Sequence, residues 1–477
     1  MRERILGATA ALVAAAAMVA PGARAASTTL GFRSAPGLQP PRLTLTPDSD
    51  RSSGDIFLTP FNSLQVGPEI VDSQGRLVWF RPLSQGEALN LQVQRYQGHP
   101  VLTWWQGPLA LGHGTIYGVG EDVIANSSYR TLAVVHAGHG DSADLHEFQI
   151  TPQGTALLDA YVPVHRNLTS LGGPSSGTVL DCVIQELNIR TGRVLWEWHS
   201  LGHVPLTASY APVGGNPSNW FDYFHINSIQ QLPDGNLLVS SRNTWAIYEI
   251  SRSSGRVLWT LGGKRSSFSM GPGTNFEWQH DARLHQHGLL SLFDDASSPP
   301  EEPQASAKLL RIDTSTMTAQ LVARYPHTPP LLPGLAGSAQ LLPGGNIFVG
   351  WGGSPDFSEY SSGGRQIFNG TFAAGIGSYR AFRFPWTGHP STRPSIAVAQ
   401  SKNGAAVVYA SWNGATQVAG WRVLGGSRPG HLHGLGPVRA KTGFETAVRL
   451  HAHPKYLAVQ ALTADHELLG TSSSQTG

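Results

Sequence analysis

Phe224–Arg242 reads FHINSIQQLPDGNLLVSSR. Two short runs rich in Ile, Leu and Val flank a Pro-Asp-Gly-Asn turn, the pattern of a β-hairpin. A histidine and an asparagine open the hairpin and an arginine closes it. Four further stretches repeat this plan of strand, glycine turn and strand: LQVQRYQGHPVLTWW, LHEFQITPQGTALLDAY, QHDARLHQHGLLSLF and SAQLLPGGNIFVGWG. Anchored at Leu91, His146, His225, His280 and Ser338, they are spaced by 55, 79, 55 and 58 residues. The long step holds an insertion, HVPLTASYAPVGGNPSNWFD, just before His225. A second pattern, a turn leading into a strand, recurs between them as DSQGRLVWFRPL, NIRTGRVLWEWHS and SRSSGRVLWTLGG. A fixed period holding about four strands per unit is the signature of a β-propeller. Five units are visible, and IFLTPFNSLQVGPEIVDSQGRLVWF and RQIFNGTFAAGIGSYRAFRF are expected to share a sixth that closes the ring. Six blades are therefore expected, with seven as the alternative.

Composition agrees with an all-β fold. Gly 55 and Pro 33 punctuate the chain, and almost no segment shows a helical apolar period. Hydrophobic residues make up 40% and charged residues 13%, enough to bury a core. Lys+Arg 33 against Asp+Glu 31, with no long run of either sign, gives no nucleic-acid or polybasic membrane footprint. The single cysteine, Cys182, lies in an apolar run and cannot form an internal disulfide. The start, MRERILGATAALVAAAAMVAPGARA, has a basic head, an apolar stretch and an Ala-x-Ala end. It reads as a signal peptide over 1–25, cleaved near Ala25, so a secreted chain without a membrane span is expected. The propeller is expected over 26–390. After FPWTGHPSTRP the texture changes to closely spaced short strands, and 391–477 is expected to form a small C-terminal β-sandwich, of immunoglobulin or fibronectin type, with a frayed tail.

Equivalent positions of successive blades face one channel. His146, His225 and His280 fall in the same slot of three consecutive units, 8 to 10 residues before the turn glycine. A single histidine is most often a structural group. Three in one slot predict a cluster at one mouth of the channel.

The stretch from DYFHINSIQQLPDGNLLVSSRNTWAIYEISRSSGRVLWTLGG through FEWQHDARL to SLFDDA resembles the arylsulfotransferase family, over about Asp144 to Gly353. The C-terminal SWNGATQVAGWRVL resembles an extension of actinobacterial and fungal members. The resemblance implies a six-bladed propeller that moves a sulfuryl group from a phenolic sulfate ester to a phenol acceptor. It implies a transiently sulfated histidine and neither a nucleotide donor nor another cofactor. Carried over by motif, His280 in QHDA matches the nucleophile, His225 and Asn227 the His-x-Asn pair, Arg242 the arginine and His146 the earlier histidine. The chemistry suits these residues. A neutral imidazole is a nucleophile near neutral pH. Arg242 and the Asn227 amide suit the sulfuryl oxygens. His225 suits protonation of the departing phenolate. Asp281 is a candidate to orient an imidazole or to shape a turn, and Ser338 a candidate for the site edge.

Other candidates have plainer readings. Arg242 alone equally suits a pair with Glu249 or Asp222. LHQHG (His285, His287), HLHG (His431, His433) and HAHP offer histidine pairs without an evident third ligand, so no metal site is expected there. DDASSPPEEP reads as a solvated acidic loop rather than a calcium loop. TWWQG and GGNPSNW offer tryptophans for a phenol-binding mouth, although blade packing accounts for most of the 13 Trp. Two competing functions stand beside the transferase: a metal-dependent channel site with the three histidines as ligands, and a secreted propeller that binds without catalysis. No P-loop is present.

Overall fold

A computed structural model describes residues 29–110, 115–213, 220–400, 406–451 and 454–477, so the expected signal peptide lies outside the described residues. The chain is nearly all-β. Among the described residues only three single-turn 3-10 helices occur, and no helix is long and apolar enough to cross a membrane.

Six sheets, antiparallel apart from one short parallel strand added to the third and one to the fifth, follow one another along the chain, and the second to sixth are each led by a strand of the repeat. The second runs Glu87–Tyr96, His99–Gly107, Glu121–Ala125 and Thr131–Val135. The third is built on Phe148–Ile150, Ala156–Arg166, Gly177–Leu187 and Val194–His199. The hairpin quoted above gives the fourth, with Ile226–Gln231 and Leu237–Ser241 followed by Ala246–Ile250 and Val257–Gly262. His280–Leu284 opens the fifth and Ser338–Leu341 the sixth. The first sheet joins the two ends of this region: Phe382–Phe384 pairs with Asp55–Leu58, which pairs with Glu69–Val71. The sharing differs in detail from the sequence expectation. Gln366–Phe372 stays in the sixth sheet as the partner of Asp356–Tyr360, and Leu43–Pro47 adds to its outer edge.

Strand alternation turns each sheet into a two-faced wedge. Leu237 and Val239 point into a core shared with the third sheet, while Leu238 points into one shared with the fifth. Leu157 and Leu158 divide in the same way between neighbours. Each sheet shares a core with the next, and the sixth shares one with the first through Phe348, Phe368, Ile56 and Leu58. Burial on both faces explains why the strands read as near-continuous apolar runs. Gly235, at φ 89, closes the hairpin turn on Leu232 in a conformation that disfavours any side chain.

Beyond Ser395 two further sheets share one core, with Val408 and Ala410 from one and Trp421, Val423 and Leu457 from the other. The tail is not frayed: Gln475–Thr476 pairs with Tyr456 and Leu457. The N-terminal segment straps onto this unit, with Phe32 against Phe444 and the Ser34 hydroxyl on Glu445 and Ser411.

Candidate active site

The repeat brings His146, His225 and His280 to one end of the inner strands, and each is buried, at 4%, 7% and 2% exposure. The His146 and His225 rings meet edge-on with centroids 4.7 Å apart. Tyr161 touches both at 5.6 and 5.5 Å, and Tyr379 joins His146 to His280 at 5.6 and 6.4 Å. His225 has a φ of 60, an unfavourable left-handed conformation for a histidine, held by backbone bonds from Arg242 and Asn243 to His225 and Phe224.

Each imidazole faces a carboxylate through Nδ1. Asp144 serves His146, Asp222 serves His225 at 2.5 Å, and Asp295 serves His280 at 2.6 Å. Nδ1 of His280 also lies 3.1 Å from the carbonyl oxygen of Trp278. A carbonyl only accepts, so the proton sits on Nδ1 and the Nε2 lone pair is free. Burial, followed by the positive charge of Arg242, holds the His280 pKa well below the usual imidazole range. Burial lowers His225 as well, against the pull of Asp222. Burial pushes the Asp295 carboxyl up while Arg242 opposes it. The acceptor-only Trp278 carbonyl decides the tautomer of this pair.

Arg242 ends the second strand of the hairpin. Its guanidinium lies 4.7 Å over the Trp278 ring and is steadied by Asn243 Oδ1 at 3.0 Å and the Gly334 carbonyl at 3.4 Å. Glu249, its expected alternative partner, instead accepts from Asn236. Asn227 donates through Nδ2 to the carbonyl of Gln279 at 2.5 Å. It thus fixes the residue preceding His280 rather than offering that hydrogen bond to a ligand.

Two candidates have other contacts. Asp281 does not orient an imidazole. Its carboxylate receives Arg283 at 2.9 Å and the Ala339 amide at 3.1 Å, because a left-handed φ of 53 turns it away from the His280 ring plane's partner, Asp295. Ser338 exchanges hydrogen bonds with the backbone of Ala381, so its hydroxyl is committed to holding the sixth sheet against the Phe382 strand.

Beneath the histidines Arg380, missed in the sequence, plugs the centre. It bonds Asn90 at 3.1 Å, Glu147 at 3.3 Å and the Asn227 carbonyl, and lies 3.8 Å from Asp281. Glu147 is shared with Arg283. Residues from five sheets therefore meet in one buried charge network. Arg380→Met is expected to lower stability by about 3–5 kcal/mol, because buried carboxylates lose a counter-ion. Urea unfolding measures this, and a loss under about 1 kcal/mol would contradict it.

Several remaining expectations are revised. Asp294 and Asp295 are fully buried, with Asp294 paired to Lys308 at 2.5 Å, so only the later part of DDASSPPEEP, from Pro299, is largely exposed as a solvated loop would be. Trp104 and Trp105 lie in the core, Trp105 bonded to the Ala143 carbonyl, and not at a mouth. Residues 214–219 of GGNPSNW lie outside the described residues, as do 452–453 of HAHP. His285 bonds Ser291, while His287, His431 and His433 do not join the cluster. Among the described residues, the groups close enough to share one ion are Asp144–His146–Asp159 and Glu277–Asp294–Glu302. The histidine trio is not one of them.

A family model described as Arylsulfotransferase (ASST) matches residues 92–373. No curated protein matches the chain significantly. Among solved structures, similarity extends to a protein of unknown function from Bacteroides caccae, at 14% identity and TM-score 0.42 over 69% of this chain and 98% of that one. Virginiamycin B lyase from Staphylococcus aureus is similar at 11% and 0.35, over 78% and 96%. The Cps50 (Swd1) β-propeller domain of Myceliophteria thermophila is similar at 10% and 0.34, over 69% and 98%. No functional reading attaches to these three likenesses.

Proposed function

The chain belongs to the arylsulfotransferase family, and from that premise we propose that it is a secreted, nucleotide-independent aryl sulfotransferase working through a sulfohistidine on His280. The reading includes a closed six-bladed propeller over 26–390 and a C-terminal sandwich over 391–477. The cyclic sharing of cores and the two sheets beyond Ser395 support it.

The observation that carries the reaction is the pairing of His280 Nδ1 with the Asp295 carboxyl and the Trp278 carbonyl, which leaves Nε2 as the nucleophilic nitrogen. In the first half-reaction Nε2 attacks the sulfur of a phenolic sulfate. An N–S bond forms, the S–O bond to the arene breaks, and its electron pair leaves on the phenolate oxygen. Positive charge developing on the imidazole is met by Asp295, and charge on the sulfuryl oxygens by Arg242. His225, when protonated, donates from Nδ1 to Asp222 and carries a second proton on Nε2 that can pass to the leaving oxygen. Burial makes this imidazolium a stronger acid than a free one. In the second half-reaction neutral His225 takes the proton of an incoming phenol, whose oxygen attacks sulfur and frees His280.

The test is intact and peptide mass spectrometry after brief exposure to p-nitrophenyl sulfate without added metal. A sulfuryl adduct on the His280 peptide is expected. Absence of both adduct and nitrophenol, with phenol acceptors present, would sink the reading. EDTA is expected to leave transfer unchanged, because the reaction as written routes no step through a metal; loss of activity restored by a divalent ion would favour the metal alternative.

The pH dependence follows in sign. His280 attacks only when neutral, and its lowered pKa keeps it neutral below 6.5. For a good leaving group, kcat/KM is expected to stay flat from about pH 8 through the ordinary imidazole value of about 6.5 and to fall only well below it. Stopped-flow nitrophenol release measures this, and an acid limb centred at or above 6.5 would contradict it.

A further inference from the structure

We infer that Tyr379 is a catalytic hydrogen-bond donor to the sulfuryl group carried by His280, an inference that rests on the sulfohistidine reading above. A sulfuryl group bound to nitrogen exposes three oxygens, and the fork of Arg242 serves two at most. One N–H of each terminal nitrogen of that fork already holds Asn243 or Gly334, and one N–H of the Asn227 amide holds Gln279. A donor beside His280 would serve the third oxygen.

Tyr379 stands edge-on to both His146 and His280, with interplanar angles of 82° and 78°. It is 4% exposed, and its hydroxyl has no hydrogen-bond partner among the described residues. A buried hydroxyl left unpaired is unfavourable, so its retention calls for a reason. The contrast with Tyr161 is direct. That ring touches His146 and His225 and spends its hydroxyl on the Ile226 carbonyl at 2.7 Å. One tyrosine of the site is committed to the scaffold and the other is not.

The electrostatics suit a donor that keeps its proton. Burial holds the Tyr379 pKa well above that of free tyrosine, so the phenol does not ionise in the working range. The Arg380 guanidinium lies 5.2 Å from the ring centroid and draws on its π-electrons, which strengthens O–H as a donor. Tyr379 forms and breaks no covalent bond, and its proton stays on oxygen through both half-reactions.

The experiment is single-turnover transfer from p-nitrophenyl sulfate to phenol with wild type, Tyr379→Phe and Tyr161→Phe. Formation and decay of the adduct in Tyr379→Phe are each expected to slow about 10²-fold, the scale for losing one oxyanion donor. Its melting temperature should be unchanged or higher, and the donor KM nearly unchanged. Tyr161→Phe should melt lower and lose far less rate than Tyr379→Phe. Wild-type adduct with a Tyr379→Phe rate within twofold of wild type overturns this inference and leaves His280 as nucleophile. Absence of wild-type adduct overturns both. Should the Phe variant not fold, 3,5-difluorotyrosine at position 379 keeps the shape and changes the donor, and an unchanged rate there is equally decisive against it.

Discussion

His280→Ala is expected to abolish the sulfuryl adduct and to reduce transfer by about 10⁴-fold or more, as removal of a covalent nucleophile does. The residual rate would come from binding and charge alignment alone, since Arg242 and His225 remain. The substitution removes a 2% exposed side chain whose partners are Asp295 and the Trp278 carbonyl, so Asp295 is left buried with Arg242 as the main positive charge acting on it. Stability must therefore be measured alongside. A folded variant with unaltered turnover would remove His280 from the mechanism. A folded variant that retains the adduct would move the nucleophile to His225 or His146, both within the same aromatic cluster. If the protein were a binding module without catalysis, wild type and variant would be alike.

Asp295→Asn carries the second largest effect, an expected fall of about 10³-fold in the first half-reaction. That conversion beside a catalytic imidazole in an unrelated hydrolase costs about 10⁴-fold, and the Trp278 carbonyl, which also holds the tautomer here, sets the expectation lower. Two physical losses combine. Attack by Nε2 places positive charge on the ring, and a carboxylate 2.6 Å away stabilises that charge while an amide does not. The amide can also turn its NH2 group toward Nδ1, which favours the opposite tautomer and blocks Nε2. The Trp278 carbonyl resists that flip, so the loss should be smaller than for His280→Ala. Single-turnover nitrophenol release, with the melting temperature as control, gives the answer. A fall of less than tenfold would mean that the Trp278 carbonyl alone suffices to set the imidazole. Rescue is informative too: a donor with a better leaving group needs less push from the ring and should recover part of the rate.

Much of the fold was legible because a repeated unit repeats its signals. A hairpin with Gly235 at its turn, seen in five places, gives the strand plan. The buried-on-both-faces pattern gives wedges rather than one open sheet. The exchange at the ring's ends was legible only coarsely, since Phe382–Phe384 and Leu43–Pro47 are too short to announce their partners. Around the site, Asp144 and Asp222 lie two and three residues from their histidines, and that spacing was a usable signal. Asp295 had none, being 15 residues from His280 and inside a segment whose Pro, Ser and Glu content resembles a surface loop. For Asp281 sequence proximity to His280 left two roles open, and its left-handed backbone directs its carboxylate to Arg283 rather than to an imidazole.

By itself the sequence determined the strand repeat, the convergence of His146, His225 and His280 and the chemical types gathered with them, because local turn chemistry and period-2 patterning act within a few residues. Only the tertiary structure decided which carboxylate meets which imidazole, which nitrogen of His280 keeps its lone pair, and that Tyr379 and Arg380, 99 and 100 residues beyond His280, return to the centre. Those contacts join different sheets of a ring. Their distances are set by the packing of whole wedges, which no short window of residues encodes.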